Sequence, residues 1–381
     1  MVGVITTLAV ENYRSLRHLV VPLGRLTVVT GANGSGKSSL YRALRLIADS
    51  ARNGAVAALA REGGLASTLW AGPANGSVPN RPSGAARGNA VSLRLGFAGD
   101  DFGYAIDFGL PRPSSSAFAL DPEIKREAIW AGPFLRPAGL LADRANGALR
   151  LRDGRSWLPI PGVLASYDSM LSEYSDPQRA PEILEVRDRI RSWRFYDHLR
   201  TDADAPVRQA QIGTRTPVLG PDGADLAAAL QTIREIGDAD ALDVAIDAAF
   251  PGSTLAIEDE TGRFALRLSQ PGLLRPFGAA ELSDGTVKYL MWVAALLTPR
   301  PPALLVLNEP EASLHPDLLR PLAELVTTGS ARTQVVVISH SRALVSALDA
   351  DHSIELVKEL GETCVEGQGR LDEPPWHWPG R

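Results

Sequence analysis

The 381-residue chain is 45% hydrophobic and 22% charged, with a formal net charge of −5 and a pI near 5.8. That balance suits a globular protein of one large domain or two lobes, and it excludes wholesale coating of a polyanion, so any nucleic-acid contact has to be a local patch. The single cysteine, Cys364, excludes an intramolecular disulfide, and a start without a basic leader, with no long apolar run, predicts a soluble, cytoplasmic chain.

Residues 4–10 and 19–23 read as strands on either side of a turn at 11–15, and residues 26–30 have the apolar content of a buried strand. That strand delivers Gly31, Ala32, Asn33, Gly34, Ser35, Gly36, Lys37 and Ser38, and a helical pattern over 38–48 follows. Strand, GxxxxGK[ST] and helix in this order make a phosphate-binding loop. Glycines let successive N–H groups wrap a phosphate, Lys37 brings a mobile positive charge, and the Ser38 hydroxyl can ligate Mg²⁺. The helix N-terminus favours the same negative charge. The pattern predicts a nucleoside triphosphate site on an exposed loop, with the lysine charge unpaired until ligand arrives.

Small polar residues make 72–89 a loop. Val91, Leu93, Leu95 and Phe97 then alternate, and Tyr104, Ile106 and Phe108 answer them across a turn, which predicts an antiparallel hairpin. A second loose stretch, 110–116, opens a middle region reaching about Pro217. It holds a hairpin about Asp153 and Gly154, with Leu149 and Leu151 before it and Trp157 and Leu158 after it. It also holds an amphipathic helix starting at Pro181, with Ile183, Val186, Ile190 and Trp193 as the apolar stripe. Arg187, Arg191, Arg194 and His198 form a basic stripe, which is either a solvated face balanced by Glu185 and Asp188 or a phosphate-backbone contact. Heptads are not sustained, so no long coiled-coil arm is expected. A helical pattern broken near Gly237 covers 225–250, and a hairpin joins 255–258 to 264–268.

A second dense block follows. Ser283 reads as the cap of a helix whose apolar positions are Val287, Leu290, Met291 and Ala294. An apolar strand over 304–307 ends on Asn308 and Glu309, and Pro310, Glu311, Ala312, Ser313, Leu314 and His315 lead to a helix with Pro316 in its first turn. Residues 334–338 are another buried strand, ending in Ser339 and His340, at the carboxyl end where such sheets bind ligands. The tail from Asp372, with Trp376 and Trp378, has no period and no assigned role.

Phosphate loop, LSDG, strand with NEPE, SLHP and strand with SH, in that order, resemble the ABC-type ATPase heads. Within these the chain is most similar to the SMC/RecF/OLD-like group of AAA-family ATPases, without a coiled-coil arm, over roughly residues 1–50 and 278–345. The resemblance implies an α/β P-loop NTPase head with a mixed central sheet, an antiparallel β lobe and a helical middle insertion. It implies an N-terminal ATPase lobe at 1–109, the insertion at 110–217 and a C-terminal lobe at 218–381. It further implies ATP and Mg²⁺ as cofactors, a nucleotide cradle from Gly31 through Ser39, and Ser38 with Asn308 on the metal side. Glu309 would be the general base, His340 the γ-phosphate sensor, and Ser283, Asp284 and Gly285 the signature that meets ATP held by a second subunit. Asn308 stands where the group usually has an aspartate, so weaker metal binding or slower hydrolysis is expected. The implied activity is that of a cytosolic ATPase whose homodimer closes on ATP and works on DNA in repair, maintenance or phage defence. Two other readings are a nucleotide-gated switch for a separate toxin, nuclease or other effector, and a membrane transporter's motor subunit. Against the last stand the unrecognised glutamine loop and the separation of roughly 245 residues between Gly36 and Ser283.

Overall fold

A computed structural model of the chain describes residues 3–52, 54–72, 92–112, 115–162, 164–197, 199–259, 261–369 and 371–380. Most of the loop expected at 72–89 lies outside these residues, as do part of the stretch 110–116 and Met1, Val91, His198 and Glu260. The chain divides into two units, one of residues 1–24, 29–193 and 354–381, the other of residues 25–28 and 194–353.

In the first unit β1 (Ile5–Tyr13) and β2 (Leu16–Pro22) form a hairpin. β3 (Leu26–Gly31) leads into α1 (Lys37–Ser50), and short helices α2 (Ala55–Arg61) and α3 (Leu65–Thr68) follow. The strands β4 (Leu93–Gly99), β5 (Phe102–Gly109), β6 (Glu123–Ala131), β7 (Leu140–Ala145), β8 (Ala148–Asp153) and β9 (Ser156–Pro159) then complete an antiparallel sheet in the order β2-β1-β4-β5-β6-β7-β8-β9. The expected hairpins β4–β5 and β8–β9 are present; β6 and β7, which join them, escaped the sequence reading.

The period of two sorts the two faces. Leu95, Phe97, Tyr104, Ile106, Phe108, Ile124 and Ile129 are buried on one side. There the short helix α4 (Met170–Glu173) and α5 (Pro181–Ser192) follow; α5 buries Ile183, Val186 and Ile190, and the Trp193 ring lies 5.4 Å from Phe97. On the other face Glu11, Arg94, Asp107 and Arg126 stand opposite one another across β1, β4, β5 and β6. Ion pairs run along this row, Arg94 to Glu11 and to Asp107 at 3.3 Å each, Arg126 to Asp143 at 2.7 Å and Arg150 to Asp143 at 2.6 Å. Alternating sign keeps like charges from facing each other between strands. Glu127 and Arg144 point inward and are fully buried. Glu127 accepts from Tyr104 Oη and Met170 N at 2.8 Å, and Arg144 donates to Ala165 O at 2.7 Å and Asn146 O at 2.8 Å. With every partner supplied, this pair ties the segment around residues 165–170 to the sheet instead of acting as a buried penalty.

In the second unit β10 (Arg194–Tyr196) comes first, followed by β11 (Gln211–Ile212), α6 (Leu226–Ile236), α7 (Ala239–Ala249), β12 (Thr254–Asp259), β13 (Arg263–Ser269) and β14 (Phe277–Gly278). α8 (Asp284–Leu296), β15 (Leu304–Asn308), α9 (Leu319–Ser330), β16 (Gln334–Ile338) and α10 (Arg342–Ala347) complete it. α5 stops at Ser192, so Arg194 is a strand residue and does not extend the helical stripe, correcting the expected four-residue row. The helical pattern over 225–250 resolves into α6 and α7, broken at Gly237, with the Asp238 side chain accepting from Ala241 N. β10, β15 and β16 run parallel, and Val335 N donates to Arg25 O at 2.7 Å. Residues 304–307 and 335–337 are 0% exposed, as strands covered on both faces must be. Leu230, Ile233, Leu290, Trp292, Leu322 and Val326 from the surrounding helices fill the same core. Each such buried side chain contributes about 1.5–3 kcal/mol.

The chain closes with β17 (His352–Glu359) and β18 (Glu362–Val365), an antiparallel hairpin. The tail then lies over the charged face of the large sheet. Trp376 packs edge-on against Trp130 with centroids 5.7 Å apart and against Trp378 at 5.1 Å, and the Arg94 guanidinium lies 6.0 Å from the Trp378 ring. These rings cover Ala98, Ala105 and Trp130, an apolar island on that face.

Candidate nucleotide site

β3 ends and α1 begins within six residues, so the intervening chain has to reverse sharply. Gly31, Gly34 and Gly36 do this with φ of +141°, +80° and +117°, values side chains rarely tolerate. Ala32, Asn33, Gly34 and Ser38 are exposed, whereas Ser35, Gly36 and Lys37 are buried and Ser39 is half-buried. The lysine is not unpaired, contrary to expectation. Lys37 is 8% exposed, and its Nζ donates to Gly31 O at 2.6 Å and Ala32 O at 3.0 Å. A buried ammonium needs acceptors, and the carbonyls of its own loop are the nearest available. Phosphate oxygens entering the loop would exchange with these carbonyls. Ser38 is exposed in the first turn of α1, and its hydroxyl is an oxygen donor of the hard kind. Among the described residues no cluster of three or more His, Cys, Asp or Glu side chains could hold a metal.

In the second unit Asn308 ends β15 opposite Ile338 of β16. Glu309 leaves the strand with φ of +49°, its N–H donating to Ile338 O at 2.8 Å and its side chain about half exposed. A left-handed non-glycine residue costs about 1–2 kcal/mol, and here it splits two neighbouring carboxylates. Glu309 faces solvent; Glu311 turns inward to 9% exposure. Glu311 Oε1 accepts from Ser339 Oγ at 2.6 Å, His340 N at 3.1 Å and Ser341 N at 3.2 Å. His340 Nδ1 lies 3.5 Å from that oxygen and 3.6 Å from Glu309 Oε1. Lys288 of α8 is buried beside them: burial lowers its pKa, while the carboxylates of Glu311 and then Glu309 oppose the shift. Sequence reasoning singled out Glu309 and His340 and missed that Glu311 fastens the histidine's backbone. The available signal was a second acid two residues past Glu309.

Ser283 caps α8 as expected, its Oγ accepting from Thr286 N at 3.2 Å, and both Ser283 and Asp284 are exposed. Arg208 braces the segment from below, donating to Ala279 O at 2.9 Å, to Leu282 O at 2.8 Å and to the Asp284 carboxylate. A Cβ on Gly285 would lie 2.9 Å from Ser313 O, so the signature abuts residues 313–315 closely enough to need glycine. Of the arginines considered for nucleic acid, Arg187 pairs with Asp188 at 3.0 Å, Arg191 donates to Ala51 O at 2.8 Å, and Arg194 is half-buried in β10.

A glycine-rich phosphate loop between a buried strand and a helix, in a chain that also carries a strand-end carboxylate beside a histidine, defines a nucleotide-binding ATPase domain of the AAA kind. The chain belongs to the family described as "AAA domain, putative AbiEii toxin, Type IV TA system", whose model matches residues 154–346, more than half its length. A second model, described as an AAA ATPase domain, matches residues 4–69. No curated protein matches the chain. Among solved structures, the SMC head domain from Thermotoga maritima is 15% identical with a TM-score of 0.50, over 95% of this chain and 98% of that one. An Smc head bound to the C-terminal winged-helix domain of ScpA is 15% identical with a TM-score of 0.51, over 95% and 97%. At this identity the likeness is one of fold. No helix among the described residues is long and apolar enough to cross a membrane.

Proposed function

We propose that the protein binds ATP on the loop from Gly31 to Ser39 and hydrolyses it, Glu309 acting as general base on the attacking water and Lys37 and His340 facing the terminal phosphate. The observation that carries this reading is the separation of the two acids: Glu309 is turned into solvent at the end of a buried parallel strand, while Glu311 is spent on fixing the backbone of His340. Ser38 and Asn308 would hold Mg²⁺, which when bound neutralises charge on the phosphates. ATP would bring two copies together, the exposed Ser283 and Asp284 and the half-buried Gly285 of one meeting the nucleotide of the other. The dimer would act on DNA; the three-part division at residues 109 and 217 belongs to the same proposal.

Glu309→Gln tests it. Turnover should fall about 1000-fold, the scale of general-base catalysis, and a dimer should accumulate with MgATP, measured by light scattering. Ser283→Arg should prevent that dimer. A monomer under every condition, or a dimer indifferent to Ser283→Arg, would overturn the two-site mechanism. Asn308 favours a second reading, a nucleotide-gated switch for a separate effector; the family description, which names a toxin of a toxin–antitoxin system, suits it. ATP-dependent dimerisation without phosphate release by the parent would select the switch.

A further inference from the structure

Thr363, on β18, is 0% exposed and lies against the phosphate loop. Its hydroxyl donates to Ser35 O at 2.8 Å and shares a 2.8 Å hydrogen bond with Ser15 Oγ, while its N–H donates to Ser15 O at 2.8 Å. Ser15 Oγ lies 3.3 Å from Ser39 Oγ at the start of α1. Three hydroxyls thus link the β1–β2 turn, the loop, α1 and the C-terminal hairpin. The approach is tight at two points: a Cβ on Gly36 would sit 2.2 Å from Thr363 Oγ1, and one on Gly31 would sit 2.3 Å from Leu356 O.

We propose that Thr363 is a positioning residue for the phosphate loop, aiming its amides at the ligand. The peptide unit is planar and trans, so the Ser35 carbonyl and the Gly36 N–H point in opposite directions. Holding the carbonyl on Thr363 turns the Gly36 N–H away from β18, which in this proposal is the side the phosphate occupies. Without that donor the peptide is free to rotate, because glycine on one side offers little resistance. The C-terminal hairpin thereby contributes to nucleotide affinity without touching nucleotide.

The proposal rests on residues 31–39 being the nucleotide cradle, and the experiment separates the two claims. MgATP affinity is measured by calorimetry for the parent, Lys37→Ala, Thr363→Val, Thr363→Ser and Ser15→Ala, with melting temperatures of the ligand-free proteins alongside. Thr363→Val keeps the shape and removes the hydroxyl; it should weaken MgATP about tenfold, Thr363→Ser should restore affinity to within about twofold, and Ser15→Ala should cost about two- to threefold. Unchanged affinity in Thr363→Val, even with a lowered melting temperature, would overturn the positioning role, as would Thr363→Ser binding as weakly as Thr363→Val. Should Thr363→Val fail to fold, Ser15→Ala binding MgATP like the parent would overturn it. Equal binding by the parent and Lys37→Ala would overturn the cradle assignment itself, and the proposal with it.

Discussion

In the phosphate loop a cation is held by carbonyls five and six residues away in sequence; past the end of β15 a carboxylate is held by groups 28 to 30 residues away. Both segments follow buried strands and both set a charged side chain beside backbone. The lysine is held within the loop, by glycine dihedrals and the loop's own carbonyls, with Thr363 as the brace from outside. The segment around His340 is held only when β15 and β16 are in register, because one oxygen of Glu311 gathers the donors of Ser339, His340 and Ser341. A local motif fails locally. A tertiary clasp fails with the packing around it.

Glu311→Ala should expose that contrast most strongly. It strands the donors of Ser339 and His340, while Ser341 N keeps Ser339 Oγ at 3.0 Å, and it leaves the buried Lys288 without the carboxylate that most offsets its burial, for a loss of about 3 kcal/mol in urea unfolding. Stability equal to the parent's would mean that the clasp is not what holds the segment. Lys37→Ala should do the reverse, weakening ATP about 50-fold while global stability moves by no more than about 1 kcal/mol, since the carbonyls it leaves can be hydrated. A cooperative loss of stability in Lys37→Ala would show that the lysine's contacts are not merely local.

What could be read from the sequence follows the same division. The loop, the cap at Ser283, the proline turn at Pro316 that leads into α9, and the apolar strands β15 and β16 are contiguous patterns and were legible. Glu311, Arg208 and Thr363 act on groups about 30, 70 and 330 residues away, and no local period encodes such pairings. β6 and β7 were hidden for a different reason. Their inward-facing Glu127 and Arg144 invert the apolar-in, polar-out alternation, and register shifts between Asp107 and Phe108 and between Ile129 and Trp130 break it further. The arginines on α5 were legible as a stripe but not as partners, since Arg191 spends a donor on Ala51 O.

Smaller effects sharpen the comparison. Glu311→Gln keeps an acceptor in place of Oε1 and removes the charge facing Lys288, so it should cost about 1 kcal/mol in the same unfolding experiment. A loss as large as in Glu311→Ala would move the weight from hydrogen bonding to charge. Least of all, Asn308→Asp should lower the Mg²⁺ concentration for half-maximal phosphate release about threefold, because it adds a negative charge near a divalent cation. An unchanged or raised midpoint would show that Asn308 does not serve the metal.

The indole tail has a practical consequence for handling the protein. With Trp376 and Trp378 in place, the outer sheet face presents a charged row and a lid of rings. A chain shortened before Trp376 would uncover Ala98, Ala105 and the flat of Trp130 among those charges, a sticky spot of the kind that seeds precipitation. Shelf life would suffer before activity did. A purification handle is therefore better carried at the front of the chain than spliced into its last ten residues.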